Sequence, residues 1–277
     1  MPVSSRSRRR DRRSSGIPAV FWVIAAIALA FLVLPLVALL LQVPWGQLGQ
    51  LIGAPEIGQS LGLSLEAAVI STALSVVLGV PLAWVLARSA DWNPIIRRVL
   101  RSLVVVPLVL PPVVGGVALL LLLGRRGLLG QYLDAWFGVE LPFTTPAVVI
   151  SETFVAMPFL ILAVEGALRA ADRRLEDAAE TLGASRWMIL RRVTLPLIAP
   201  GVAAGAVLSF ARALGEFGAT ITFAGNFPGV TRTMPIAAYL ALETNPAAAY
   251  VISLVLLVVS IGVLFGLRDR WVGGFRA

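Results

Sequence analysis

The sequence predicts an all-α, polytopic membrane protein with six transmembrane helices and both termini on the cytoplasmic side. Three observations predict it. First, the 277 residues are 58% hydrophobic and only 14% charged, where a water-soluble domain carries roughly 25%, and mean hydropathy is +0.89. Second, six apolar runs approach the ~20 residues that cross a hydrocarbon layer of ~30 Å. Third, arginine, the only basic residue type in the chain, gathers at alternate ends of those runs.

The runs cover approximately 19–41, 61–87, 100–123, 147–168, 197–222 and 248–267. A basic arm, residues 1–18, precedes the first and is too polar to fold alone. Its charge followed by an apolar run resembles a signal peptide. The 23 apolar residues of that run, however, exceed the roughly 7–15 of a signal core, so an uncleaved first span is expected. An inward N-terminus places the arginines of the arm, of residues 88–101, of residues 169–192 and of the C-terminal tail on the inner side. It leaves only Arg125, Arg126 and Arg232 outside and Arg212 within the fifth run. The positive-inside rule therefore gives N-in, C-in. Pro35, Pro81, Pro107, Pro111, Pro112, Pro158 and Pro200 fall within the runs. They fit either kinked helices in a packed bundle or broken helices lining a path.

Cysteine, histidine and lysine are absent. Disulfides, Cys/His metal sites, histidine-based acid–base chemistry and lysine Schiff bases are thereby excluded. The net charge of +8 does not point to nucleic acid, because the arginines sit at span ends without interleaved aromatics.

The charged segment "RRLEDAAETLGASRWMILRRVTLPLIAPG", residues 173–201, interrupts this apolar chain. Leu175, Ala178, Ala179 and Leu182 recur at i, i+3, i+4 and i+7 and make one apolar stripe on a short helix. Gly183 can end that helix in a left-handed conformation, and Ser185 can cap a second one. The second helix is expected to stop before Pro196. An amphipathic helix lying in the headgroup layer would show a bulky apolar face. Alanines and acids instead favour a docking element for a cytoplasmic partner.

The residues Asp177-Ala178-Ala179, Gly183, Val193 and Leu195-Pro196 resemble, at the same spacing, the cytoplasmic signature of bacterial importer permeases of the ATP-binding-cassette class. That pattern opens with Glu where this chain has Asp177, which keeps the charge. The resemblance implies a type I ABC importer permease fold, with residues 19–277 as a permease domain and residues 169–196 as the coupling loop that docks on a separate ATPase. It implies a homodimer with two ATPase copies in the bacterial plasma membrane, and no cofactor bound by this chain, since ATP acts on the partner. No G-x-x-x-x-G-K-[ST] occurs in the sequence.

Residues Gly215 to Phe223, followed by Asn226, Pro228, Gly229, Thr231, Arg232, Thr233 and Pro235, are similar to the permease subunits of molybdate importers. The sulfate and thiosulfate permeases share the Gly-Glu-aromatic-Gly start but tend to be acidic near the place of Arg232. The resemblance therefore implies molybdate or tungstate ahead of sulfate, delivered by an external binding protein. Asn226, Pro228, Thr231 and Arg232 are candidate contacts for that protein. Arg212 and Glu216 are spaced to pair on one helix face. With Gly215 and Gly218 they either line the anion path or gate, or brace two helices without touching substrate. Gly201 and Gly205 suit close helix contact. Glu66, Glu152 and Glu165 are expected to be solvated at helix ends. An ion-coupled secondary transporter would need embedded acids at related positions of two repeated halves, and no such repeat is evident. A membrane enzyme would need clustered catalytic groups.

Overall fold

The computed structural model describes residues 18–272, and all regular structure among them is helical. The basic arm up to residue 17 and the tail beyond residue 272, including Arg276, lie outside the described residues. Helix α1 (Ala19–Gln42) forms a unit of its own, keeps Pro35 within it and buries none of its residues. A helix apolar on every side has no aqueous face, so its surroundings are lipid or protein.

The second unit begins with a single 3₁₀ turn (Trp45–Gln47) and the short α2 (Leu48–Ile52). Then come α3 (Pro55–Arg88), α4 (Pro94–Val109), α5 (Pro112–Leu123), α6 (Gly130–Phe137) and α7 (Thr145–Ala170). After α8 (Arg174–Thr181) and α9 (Arg186–Ile189) follow α10 (Leu195–Leu214), α11 (Gly218–Phe223), α12 (Met234–Thr244) and α13 (Pro246–Val272). Among the described residues five helices, or six if the bent pair α4–α5 counts as one span, are long and apolar enough to cross a bilayer.

The core is the packing of α3, α7 and α10. Between lipid-facing helices the hydrophobic effect supplies little, so contact depends on close approach at small residues. Gly79 of α3 lies where a Cβ would fall 2.8 Å from Leu160 of α7. Gly201 and Gly205 of α10 face Ala167, and then Ala163 and Leu160, of the same helix. The pairs descend α7 as they ascend α10, so the two helices run antiparallel. Ala83, Leu86, Leu160, Ile161, Val164 and Ile198 fill the space between the three. Some buried hydroxyls are paired within the helices or across them: Ser151 donates to the Ala147 carbonyl at 2.8 Å, and the Thr153 hydroxyl lies 3.2 Å from that of Ser71 across the α3–α7 seam.

Two expected spans are interrupted. The run 100–123 bends by 115° between α4 and α5. Leu110 precedes Pro111 and takes an extended conformation (ψ 130°), since a proline ring disfavours helix in the residue before it. Two prolines in succession also remove two donors from the ladder. The run 197–222 ends as a helix at Leu214 and resumes at Gly218. The prolines at 35, 81, 107, 158 and 200 stay inside helices. The prolines within the runs thus sit inside continuous helices except at Pro111 and Pro112, where the span is broken.

A Cβ on Gly201 would meet that of Ala167 at 2.3 Å, whereas one on Gly166 meets nothing. Overpacking of a close seam costs about 1–3 kcal/mol. Gly201→Val is therefore expected to lower the thermal unfolding midpoint of the detergent-solubilised protein, and Gly166→Ala to leave it unchanged. A midpoint retained in Gly201→Val would mean that the α7–α10 seam is looser than described.

Candidate docking segment and helix break

At the arginine-rich end, α8 projects between α7 and α10. The Asp172 carboxylate accepts the Arg174 N–H at 3.0 Å and starts the helix. Gly183 ends it at φ +80°, a left-handed conformation that glycine adopts without a Cβ clash. Ser185 then accepts the Met188 N–H at 3.3 Å, as a helix cap. The expected stop at Gly183 and cap at Ser185 hold.

The expected stop before Pro196 does not. Helix runs from Arg186 to Leu214 through a π turn at Leu190–Thr194, in which the Leu195 N–H bonds the Leu190 carbonyl five residues back. A proline normally clashes with the carbonyl four residues earlier. The widened turn relieves that clash while Leu195 keeps its bond, so the helix passes Pro196 with only that residue's own donor missing and the candidate docking segment continues directly into α10.

The stripe of α8 faces outward. Leu175 is 50% exposed and Leu182 88%; Asp177 and Ala178 are exposed and Ala179 half-buried. Leu195 and Pro196 are also exposed. Apolar side chains left uncovered beside a polar rim mark a surface for another protein. The opposite side of α8 is anchored through Glu176, which the sequence reading passed over. Its carboxylate pairs with Arg88 at the end of α3 and accepts the hydroxyl of Thr194 at 2.6 Å. Arg88 in turn stacks over Trp84, 5.0 Å from the ring centroid. Asp177, Glu180, Arg186 and Trp187 join these groups around a cavity of about 590 Å³. Partial burial alone would raise the Glu176 pKa. Hydrogen bonds from Arg88 and Thr194, with the charges of Arg88 and Arg173, outweigh it and hold the carboxyl below its ordinary value of 4.5. The sole sequence signal for this anchor was an acid beside Asp177 in an apolar chain.

At the far end of α10, Arg212 and Glu216 pair as expected, with Nη2 2.5 Å from Oε2. The contact is close enough for an ion pair but is not aligned as a hydrogen bond. Glu216 is 1% exposed, and its other oxygen accepts the Ala219 N–H at 2.8 Å, capping α11. One carboxylate thus bridges the break between α10 and α11. Gly215 ends α10, and Gly218 packs so closely on the α4–α5 elbow that a Cβ would lie 2.8 Å from Pro112. Gly116 of α5 is equally tight against Ala219 and Thr222.

Two of the three scattered acids are not solvated. Glu152 is 1% exposed on the face of α7 that meets Ala213 and Leu214 one turn on, and it feels the charge of Glu216. Glu165 is 7% exposed and joins Arg101 of α4 to Arg169, both at 2.8 Å. A carboxylate at membrane depth needs partners supplied by the protein, and tertiary packing, invisible in spacing alone, brings the Arg101 side chain to Glu165. Glu66 is exposed but lies within α3 rather than at a helix end.

In the turn before α12, Pro228 is exposed and Asn226 half-buried. Arg232 is half-buried and tied to the turn, its Nε donating to the Asn226 carbonyl at 3.1 Å. Thr231 is fully buried and its hydroxyl accepts the Phe227 N–H at 2.9 Å. That correction removes Thr231 from any contact surface and makes it an internal brace of the turn.

Comparison with known proteins agrees with this arrangement. Residues 79–274 match the family described as binding-protein-dependent transport system inner membrane component. The molybdenum transport system permease protein ModB of Mycobacterium tuberculosis is 48% identical over 254 residues, covering 92% of this chain and 95% of that one. The sulfate transport system permease protein CysT of Escherichia coli is 34% identical over 241 residues, covering 86% of each. A crystal structure of a bacterial alginate ABC transporter, in complex with its pentasaccharide-bound periplasmic protein, contains a chain of the same fold. The TM-score is 0.66 at 18% identity, with 90% of this chain and 93% of that chain covered.

Protonation of Glu176 would release Arg88. Since its folded pKa lies below the unfolded value, the anchor's contribution is complete above about pH 4.5 and is lost as pH falls through the folded value. The difference in unfolding midpoint between the parent and Glu176→Gln should be constant at neutral pH and close under acid. A gap that widens on acidification would contradict the anchor. With five helices among the described residues able to span a bilayer, or six if the bent pair is one span, a candidate docking segment continuous with the core, and a family match over residues 79–274, this chain belongs to the binding-protein-dependent transport system inner membrane component family.

Proposed function

We propose that this chain is the transmembrane permease subunit of an ATP-driven molybdate importer, with tungstate as a close analogue, and that it carries no catalytic site of its own. The observation that carries the reading is the 48% identity to a molybdenum permease over nearly the whole of both chains. The Arg232-Thr233 pair in the turn favours molybdate over sulfate, and the sulfate permease at 34% identity is the second reading. The arginine-rich end faces the cytoplasm, by the positive-inside rule. There the exposed stripe of α8, with Asp177, Ala178, Ala179 and Gly183, docks on an ATPase subunit. Two copies of this chain present two such stripes to two ATPases. Asn226, Pro228 and Arg232 lie on the opposite side, where an extracytoplasmic molybdate-binding protein delivers anion.

The mechanism is alternating access. ATP binding draws the ATPases together and displaces α8. The displacement reaches α3 through Arg88 and α10 through the unbroken helix, and so repositions the α10–α11 break against the α4–α5 elbow. Anion selection rests with the binding protein, because a tight site in the permease would slow release.

Reconstitution with an ATPase and binding protein of the molybdate class should give ATP-dependent molybdate uptake. Tungstate should compete and excess sulfate should not. Sulfate competing as well as tungstate would favour the second reading. Gly183→Glu forces a bulky side chain into a left-handed position on the docking surface. It is expected to insert normally and to abolish coupled uptake, whereas wild-type uptake by this variant would remove the docking role.

A further inference from the structure

We propose that Arg97, Arg98 and Arg101 form an oxyanion site along one side of α4, through which the transported anion passes after the helix break. The proposal rests on the oxyanion-importer reading and assigns residues to its exit route. A trough of about 670 Å³ follows α4 from Pro94 to the elbow at Leu110 and Pro111. Its lining comes from that one helix and its bend: the three arginines and Ser102 at one end, then Val105, Val106 and Val109.

The guanidiniums are short of counter-charge. Among the described residues Arg98 makes no ion pair, and Arg97 donates only to the Ala90 carbonyl at 3.1 Å. Arg101 binds Glu165, which it shares with Arg169, while its Nε is buried without a partner. An uncompensated positive cluster beside a low-dielectric wall attracts anions, and planar guanidinium forks match the oxygens of a tetrahedral oxyanion. Position adds a second argument. The trough ends at the elbow that Gly218 touches, two residues beyond Glu216. It therefore runs from the elbow on which the start of α11 packs to the arginine-rich end of α4. Three spaced guanidiniums, none enclosing the anion, also suit passage rather than retention.

A phospholipid headgroup offers the same phosphate chemistry, with its acyl chain along the valines, so the test must separate the two. Arg101 is left intact because it holds Glu165. In the assembled transporter, Arg97→Gln/Arg98→Gln should cut ATP-driven molybdate uptake about tenfold, the cost of one lost charge-assisted hydrogen bond. Resting ATP hydrolysis should be unchanged, and the double lysine variant, which restores the charge but not the fork, should recover only part of the loss. In lipid-free maltoside, molybdate should raise the unfolding midpoint of the parent chain, against chloride at equal ionic strength, and not that of the glutamine variant. Full uptake by the glutamine variant alongside an active parent would overturn the proposal alone. A midpoint shift produced by phosphatidylglycerol but not by molybdate would assign the site to lipid and also overturn it. A parent that moves no oxyanion at all would instead sink the underlying functional reading.

Discussion

The carboxylate of Glu176 is held by two elements that are distant in sequence, Arg88 at the end of α3 and Thr194 at the entry to α10. On this bond the connection between the docking segment and the rest of the protein depends. A helix of eight residues is not stable alone in water, so α8 keeps its place through what it binds. With Glu176 anchored, a displacement of α8 is felt by two of the three core helices. Without it, the segment would be a loop free to move independently of the spans. The π turn serves the same purpose covalently, since it lets the chain pass Pro196 without a hinge.

A second constraint acts within the spans. An ionisable group in hydrocarbon is costly without a partner; buried Glu152 has none for its Oε2 among the described residues, whereas Glu165 and Glu216 are paired and join helices. Glu165 ties α4 to α7. Glu216 ties the end of α10 to the start of α11. The interruptions at Leu110–Pro111 and at Gly215–Phe217 meet where Gly218 seats on Pro112. Backbone that leaves the helix at membrane depth is tolerated when packed against protein or lining a cavity. Two interruptions in mutual contact form the natural place for a movable junction between rigid helices.

The helical class, the approximate spans and the short charged helix α8 were legible in the sequence, because each has a local cause. Hydropathy alone reveals α1, α7 and α13. The i, i+3, i+4, i+7 spacing and Gly183 delimit α8, and Ser185 announces the next helix. The spacing of Arg212 and Glu216 foretells their pairing. What escaped was set by contacts between distant residues. Nothing in the run around Glu165 indicates that Arg101 will reach it from α4, and nothing near Glu176 names Arg88 as its partner. The passage of the helix through Pro196 was missed because the rule for residues before proline assumes an α ladder, and a π turn changes the register of that ladder. Thr231 was misplaced for a similar reason: a turn motif gives the backbone shape but not which hydroxyl folds inward.

The most direct test of the account exploits the absence of cysteine from the chain. Ala178→Cys places a unique thiol on the outward stripe of α8, and a bifunctional thiol reagent can then link it to single cysteines introduced along the surface of the ATPase. The account predicts a link formed in the assembled transporter that blocks uptake, and recovery of uptake when the link is cleaved. Uptake that proceeds normally while no position from 177 to 184 can be linked to the ATPase would contradict it.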